Sequence, residues 1–307
     1  MKGMGKMKKK NMVNKNEFFD MLCTPGTADI LRVSEKAGAL TRLFPEISVM
    51  KNSAKRFYFH PDGLWQHAVE TMEHLEHIAV SLKKIFPDNH AAIALHLSEP
   101  AGDCLSRLSL LKLTALFHDA AKPLCARKSG KKMRFIGHEQ EGARIMGRIA
   151  KRLGLSKGVI DQACLLVEQH MRPISLTQAT ALTPRATTRF FTALGTATPD
   201  LLLLALADWH SYKRLKTHNK GQLKKQEIVL RELLRRFYSV PAVSSRKKII
   251  DGSLVMKHFK LPSGPLIGAV LGLVAKAQDS GKVSTTQEAL ALIKSRLTLL
   301  KKRYKIK

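Results

Sequence analysis

Acidic residues are scarce in this chain. Its 307 residues hold 24 Asp or Glu against 53 Lys or Arg, a formal net charge of +29. That imbalance says nothing about fold, but it favours polyanionic partners such as nucleic acid, anionic lipid or phosphate-rich ligands. Cysteine is scarce too. Cys23, Cys104, Cys125 and Cys164 are widely scattered and form no CxxC pair. This argues against a zinc ribbon and a disulfide-stapled scaffold, and for a reducing compartment. No apolar run approaches the roughly 18 residues of a membrane span; Leu201 to Ala207 reads as a buried helix segment. The basic N-terminus has no apolar stretch behind it, so a secretory signal is not expected. Repeats and sustained heptads are also missing. These absences exclude secreted, membrane-spanning and fibrous classes, and leave a basic chain expected in the cytoplasm.

What is present is a helical pattern. Apolar residues make up 44% of the chain, enough at this length for a sizeable buried core. Leu64, Ala68, Met72, Leu75, Ala79 and Leu82 recur at steps of three and four, the period of an amphipathic helix. Similar stripes predict helices from Thr27 towards Leu43, from Leu108 to His118, from His138 to Leu153, from Ser156 to His170, through Leu204 and Asp208, and from Lys224 to Tyr238. Thr183-Pro184 and Thr198-Pro199 each read as a cap followed by a proline at the first helical position. Thr285 with Glu288 fits a capping box before a last helix. Few segments alternate with period two. The expected fold is all-α: a basic flexible tail over 1–25, a helical body over 26–240, and a helical C-terminal subdomain with a basic end over 241–307.

The informative polar residues are histidines and aspartates on apolar helices. His118 and Asp119 follow Leu116-Phe117 directly, His67 lies on the helix beginning near Leu64, and His138 and His170 sit at helix ends. Asp208 closes the run LLLALAD. A buried carboxylate needs a partner, and imidazoles and carboxylates from separate helices are how bundles build metal centres. Each residue also has a plainer reading. His67 suits a core histidine, His118-Asp119 a helix terminus, His138 a capping pair with Glu139, His170 a helix-dipole partner, and Asp208 an ion pair with Lys213 or Arg214.

The order His67, His118-Asp119, Asp208 resembles the H…HD…D signature of the HD-domain metal-dependent phosphohydrolases. The text around it, HPDGLWQHAVETM, ALFHDAAKP, RFIGHEQEGARI, LVEQHMRP and ADWH, resembles the HD region of bacterial tRNA nucleotidyltransferases of the CCA-adding type. DGSLVMKHFKLPSGPLIGAVLGLV resembles their helical C-terminal segment. The resemblance implies an HD-type helical bundle with His67, His118, Asp119 and Asp208 as metal ligands, joined by His138 and His170 where a second ion is held. The nucleotidyltransferase domain of those proteins carries a Gly-Ser motif and paired aspartates. Neither stands before His67 here, so CCA addition is not expected of this chain alone.

Fe, Mn, Co, Ni or Zn suit such a donor set, with Mg a further option. The resemblance therefore predicts a phosphohydrolase or phosphodiesterase acting on nucleotides or RNA ends, with Asp119 and Lys122 as catalytic candidates. Arg127, Lys128, Arg134, Arg172, Arg185 and Arg189 are candidate phosphate contacts. Between Ser211 and Lys260 stand fourteen Lys or Arg and three Asp or Glu, and Lys224, Arg231 and Arg235 are candidates for RNA binding there. The alternative reading is an RNA (tRNA)-binding module with a non-catalytic HD site.

Overall fold

The computed structural model describes residues 13–53, 63–130, 132–178, 182–211, 220–239, 249–262, 264–279 and 283–303. Most of the basic N-terminal run, residues 54–62, Lys131, the Lys213 and Arg214 considered as partners of Asp208, residues 240–248 and the last four residues lie outside them. Two compact units emerge. The first comprises 1–182 and 196–239, the second 183–195 and 240–307.

The first unit opens with α1 (Lys15–Cys23), α2 (Thr27–Lys36), α3 (Ala39–Leu43) and α4 (Glu46–Asn52). Helix α1 corrects the expected tail over 1–25. Asn14 and Glu17 form a reciprocal capping box, and Phe18 and Leu22 are buried. The single helix expected from Thr27 to Leu43 is two, because Gly38 takes a left-handed φ of 67° and ends the first. Next come α5 (Gly63–Val80), α6 (Leu82–Ile85) and α7 (His90–Ser98). A short antiparallel pair, β1 (Pro100–Gly102) and β2 (Leu105–Ser106), leads into α8 (Arg107–Phe117). After α9 (Lys122–Cys125) comes a second antiparallel hairpin, β3 (Arg127–Ser129) and β4 (Lys132–Arg134). These hairpins are the only strands among the described residues, so the fold is all-α with minor strand content.

Helices α10 (His138–Leu153) and α11 (Lys157–Gln169) pack along each other, followed by α12 (Arg172–Gln178). Gly142 permits a close approach: a Cβ there would meet Val167 Cγ1 at 3.0 Å and the His118 carbonyl at 3.4 Å. In the second unit α13 (Pro184–Leu194) starts as expected, with Thr183 capping the Ala186 amide. The first unit resumes with α14 (Thr198–Ser211) and α15 (Lys220–Ser239). Thr198 is the first residue of α14, behind a 3₁₀ turn, rather than the cap the sequence suggested.

Helix α14 is the central element. It packs on α5, α8 and α15, and every residue from Thr198 to Ala207 is buried. Its Asp200 accepts from Arg107 (2.9 Å) and contacts His96 Nε2 at 3.0 Å. A second buried polar anchor joins α1, α2, α5 and α8. The Lys112 ammonium donates to Thr24 O and Thr27 Oγ1, both at 2.9 Å, and pairs with Glu76 at 2.9 Å. Glu76 also accepts from the first amides of α2. The stretch Pro184–Ser211 is long and apolar enough by composition to cross a bilayer, but 78% of its apolar window is buried within the protein, as in a core helix.

The second unit also contains α16 (Gly252–Phe259), α17 (Pro265–Asp279) and α18 (Thr286–Arg303). Val255, Leu266, Val270, Val274, Ala289 and Ile293 form its own core. The expected capping box is present: the Glu288 amide donates to Thr285 Oγ1, and the Thr285 amide donates to the Glu288 carboxylate, each at 3.2 Å.

Candidate metal centre

Six residues singled out in the sequence meet at one place. His67 comes from α5, Asp208 from the last turn of α14, His118 and Asp119 from the end of α8, His138 from the first residue of α10 and His170 from the end of α11. His67, His118, Asp119, His138 and His170 are at most 6% exposed.

The imidazoles share one orientation. In His118, His138 and His170, Nδ1 donates to the carbonyl three residues earlier: Ala115 at 2.8 Å, Phe135 at 2.7 Å and Val167 at 2.6 Å. Helix ends leave carbonyls without the usual partner four residues on, and His118 and His170 use carbonyls at such ends. His67 lies inside α5, where carbonyls are already engaged. It finds its partner across the bundle in Ser211, whose Oγ lies 2.9 Å from Nδ1. The Ser211 hydroxyl gives its proton to Asp208 O at 2.6 Å and therefore accepts from His67. Every Nδ1 thus carries a proton, and every Nε2 is turned inward.

Those Nε2 atoms surround the carboxylates. His67 lies 3.2 Å and His118 3.6 Å from Asp208 Oδ1, and both lie 3.4 Å from Asp119 Oδ2. The other oxygen, Asp119 Oδ1, faces His170 at 3.4 Å and His138 at 3.5 Å. Two donor clusters result, His67–His118–Asp208 and Asp119–His138–His170, with Asp119 turning one oxygen to each. Lys122 places its ammonium 2.5 Å from Asp119 Oδ2 and 5.7 Å from the centre of the Phe135 ring.

This arrangement calls for cations. Both Asp119 oxygens and Asp208 Oδ1 are buried without a hydrogen bond, and the atoms facing them are mostly imidazole Nε2. Burial opposes charge on His118, yet Asp119 and Asp208 outweigh it and hold its proton up to about 10. Burial likewise opposes charge on Asp119, but Lys122 and His118 keep it well below the usual carboxylate range. Against the same burial penalty, His118 and His67 lower Asp208. Burial lowers His170, favouring the neutral imidazole that a metal needs. Imidazole nitrogen with carboxylate oxygen suits one or two divalent transition-metal ions.

Residues 64–213 match the family described as HD domain. That match, together with the two His/Asp clusters, is consistent with a metal-dependent phosphohydrolase or phosphodiesterase. Over 281 residues the chain is 26% identical to the CC-adding tRNA nucleotidyltransferase of Thermus thermophilus, covering 91% of this chain and 55% of that protein. Over 282 residues it is 26% identical to the A-adding tRNA nucleotidyltransferase of Deinococcus radiodurans, covering 91% and 57%. The chain therefore spans little more than half the length of these curated relatives.

The other site candidates fall in different places. Arg127, Lys128 and Arg134 are exposed on the β3–β4 hairpin. Arg172 donates to Gln169, two residues from His170 on the far side of Met171. Arg185 and Arg189 are exposed on α13, which belongs to the second unit. On α15, Lys224 is exposed, Arg231 lies over the Phe86 ring, and Arg235 is paired with Glu232. Trp65 and Trp209 are buried and take core positions. Ser211 was not singled out in the sequence; its signal is a hydroxyl one helical turn after the candidate ligand Asp208.

Proposed function

We propose that the chain is a metal-dependent phosphohydrolase or phosphodiesterase acting on nucleotides or RNA ends. The observation that carries this reading is the convergence of four inward-turned Nε2 atoms on three buried carboxylate oxygens, both of Asp119 and Oδ1 of Asp208, that lack hydrogen bonds. His67, His118 and Asp208 would hold one ion, and Asp119, His138 and His170 the other. A divalent ion in such a site supplies Lewis acidity towards phosphoryl oxygens and lowers the pKa of coordinated water. The protein's own residues do the remaining work. The four histidines keep their donor nitrogens fixed through the Nδ1 contacts, and burial excludes bulk water. Lys122, on the Asp119 side of the centre, would stabilise charge on the phosphoryl group.

The same proposal assigns phosphate contacts to Arg127, Lys128, Arg134, Arg172, Arg185 and Arg189, and RNA contacts to Lys224, Arg231 and Arg235. The four free cysteines fit a cytoplasmic location. The net charge of +29 keeps the RNA-binding module as the rival. Metal analysis of the purified protein decides between them, followed by a screen of cyclic, terminal and internal phosphoesters in several divalent ions with Asp119→Ala as control. Turnover lost in the variant supports the enzyme. RNA affinity that survives Asp119→Ala, with no turnover by either protein, supports the module.

A further inference from the structure

The β3–β4 hairpin makes little sense as a purely structural element. It is a two-stranded sheet with three residues per strand, a size that is marginal on its own. Its register sets Arg127 directly opposite Arg134 and Ser129 opposite Lys132. Alternate residues of a strand share a face, so Arg127, Lys132 and Arg134 form a cationic cluster on one face. Like charges directly opposite one another destabilise a strand pair.

No ion pair among the described residues relieves the repulsion. Arg127, Lys128, Lys132 and Arg134 are all exposed, and none has an ion pair among the described residues. Arg235 and Arg236 on α15, by contrast, are both neutralised by Glu232. Arg127 is also held in position: its Nη1 donates to Ala126 O at 2.9 Å and Leu124 O at 3.2 Å. Its remaining N–H groups make no bond among the described residues, leaving them available to an acceptor.

The hairpin is rooted at the metal centre on both sides. Its first strand follows α9, whose Lys122 contacts Asp119. Its second strand runs into Phe135, whose carbonyl fixes His138 and whose ring lies beneath the Lys122 ammonium. Three residues at about 3.3 Å each give an arm roughly 10 Å long, the reach of one or two nucleotides. The Arg127–Arg134 pair stands at its base and Lys132 farther out.

We infer that this cationic face is a phosphate-backbone arm: it grips the terminal nucleotides of a single-stranded RNA and delivers its end to the metal centre. The inference rests on the proposed phosphoesterase reading and adds to it the form of the substrate. Burial of the centre favours a free strand end over a duplex. Planar guanidiniums in an unpaired cluster match phosphodiester oxygens.

The test uses the full chain, a short fluorescein-labelled oligoribonucleotide and anisotropy over a range of salt. Arg127→Gln/Lys132→Gln/Arg134→Gln should weaken binding by about tenfold at roughly 0.1 M salt. It should also reduce the slope of log affinity against log salt by about 2. Metal content should match that of the wild type, and the melting temperature should hold or rise as the repulsion is removed. Arg134→Glu supplies the folding control. It replaces a repulsive cross-strand pair with an attractive one, so the melting temperature should hold or rise while RNA affinity falls. Unchanged affinity in the triple variant overturns the arm, as does an acidic oligopeptide binding as tightly as the RNA. The phosphoesterase reading fails separately, if the wild-type protein turns over no phosphoester; the anisotropy measurement decides the arm in either case.

Discussion

Ser211 accepts a hydrogen bond from His67 Nδ1 at 2.9 Å, across 144 residues of sequence. The same hydroxyl donates to the carbonyl of Asp208. One serine therefore sets the tautomer of one candidate ligand and tethers it to the turn that carries another. Ser211→Ala should lower metal affinity about 10- to 100-fold, the usual effect of losing such a support. Ser211→Thr should retain most of it. Calorimetric titration with Mn²⁺ or Ni²⁺ checks both.

The division of donors predicts stoichiometry. Asp119 turns one oxygen to His67 and His118 and the other to His138 and His170. His138→Ala/His170→Ala should leave one tightly held ion per chain where the wild type holds two. Asp119→Asn should weaken both. Elemental analysis after exhaustive dialysis reads the count, and two ions retained by the double variant would contradict the assignment.

Removal of metal should make stability depend on alkaline pH. In the metal-free centre His118 carries its proton up to about 10, against an ordinary 6.5, because Asp119 and Asp208 outweigh its burial. A raised folded-state pKa contributes stability that is fully present below 6.5 and lost as pH climbs through about 10. Asp119 and Asp208 are lowered, so their contribution is present above the ordinary carboxylate range and fades as pH falls below it. Chelator-treated protein should therefore lose melting temperature between about pH 7 and pH 10. Added Mn²⁺ should suppress that loss by replacing the proton. Parallel melting curves with and without metal are the measurement.

Lys112 offers a contrast, because its polar network lies away from the metal. The ammonium is buried with Glu76, Thr24 and Thr27 as partners. Lys112→Met leaves the Glu76 carboxylate without its cation and should cost about 3 kcal/mol. Urea unfolding should register the change, with metal stoichiometry unaltered.

The helices with long apolar stripes, α5, α10 and α11, were legible because 3.6-residue periodicity is a local property of the chain. The strands were not. Three residues on each side of Gly130 are too few to show alternation, and cationic side chains hide the pairing of Arg127 with Arg134. The break at Gly38 was missed because one glycine inside a helical pattern signals a boundary only when its φ is positive. Capping at Thr183 was readable from Thr-Pro, whereas the grouping of α13 with the second unit depends on contacts distant in sequence. The metal-facing residue types stood out as polar groups on apolar helices. Their convergence did not, since five chain segments must be packed before any two meet. Ser211 stayed hidden for the same reason, its partner being 144 residues away.

Helix α14 carries a buried carboxylate near each end. Asp200 is clamped by His96 and Arg107, and Asp208 faces the candidate metal centre. Eight residues separate them, about 12 Å of helix. The clamp fixes the rotation of the rod, so the direction of Asp208 is set by counting residues from Asp200. Inserting or deleting one residue between Leu201 and Ala207 would swing the carboxylate by about 100° and leave the leucine surface nearly as apolar as before. In this run the number of residues carries more information than their identity: α14 works as a gauge, and its calibration is its length.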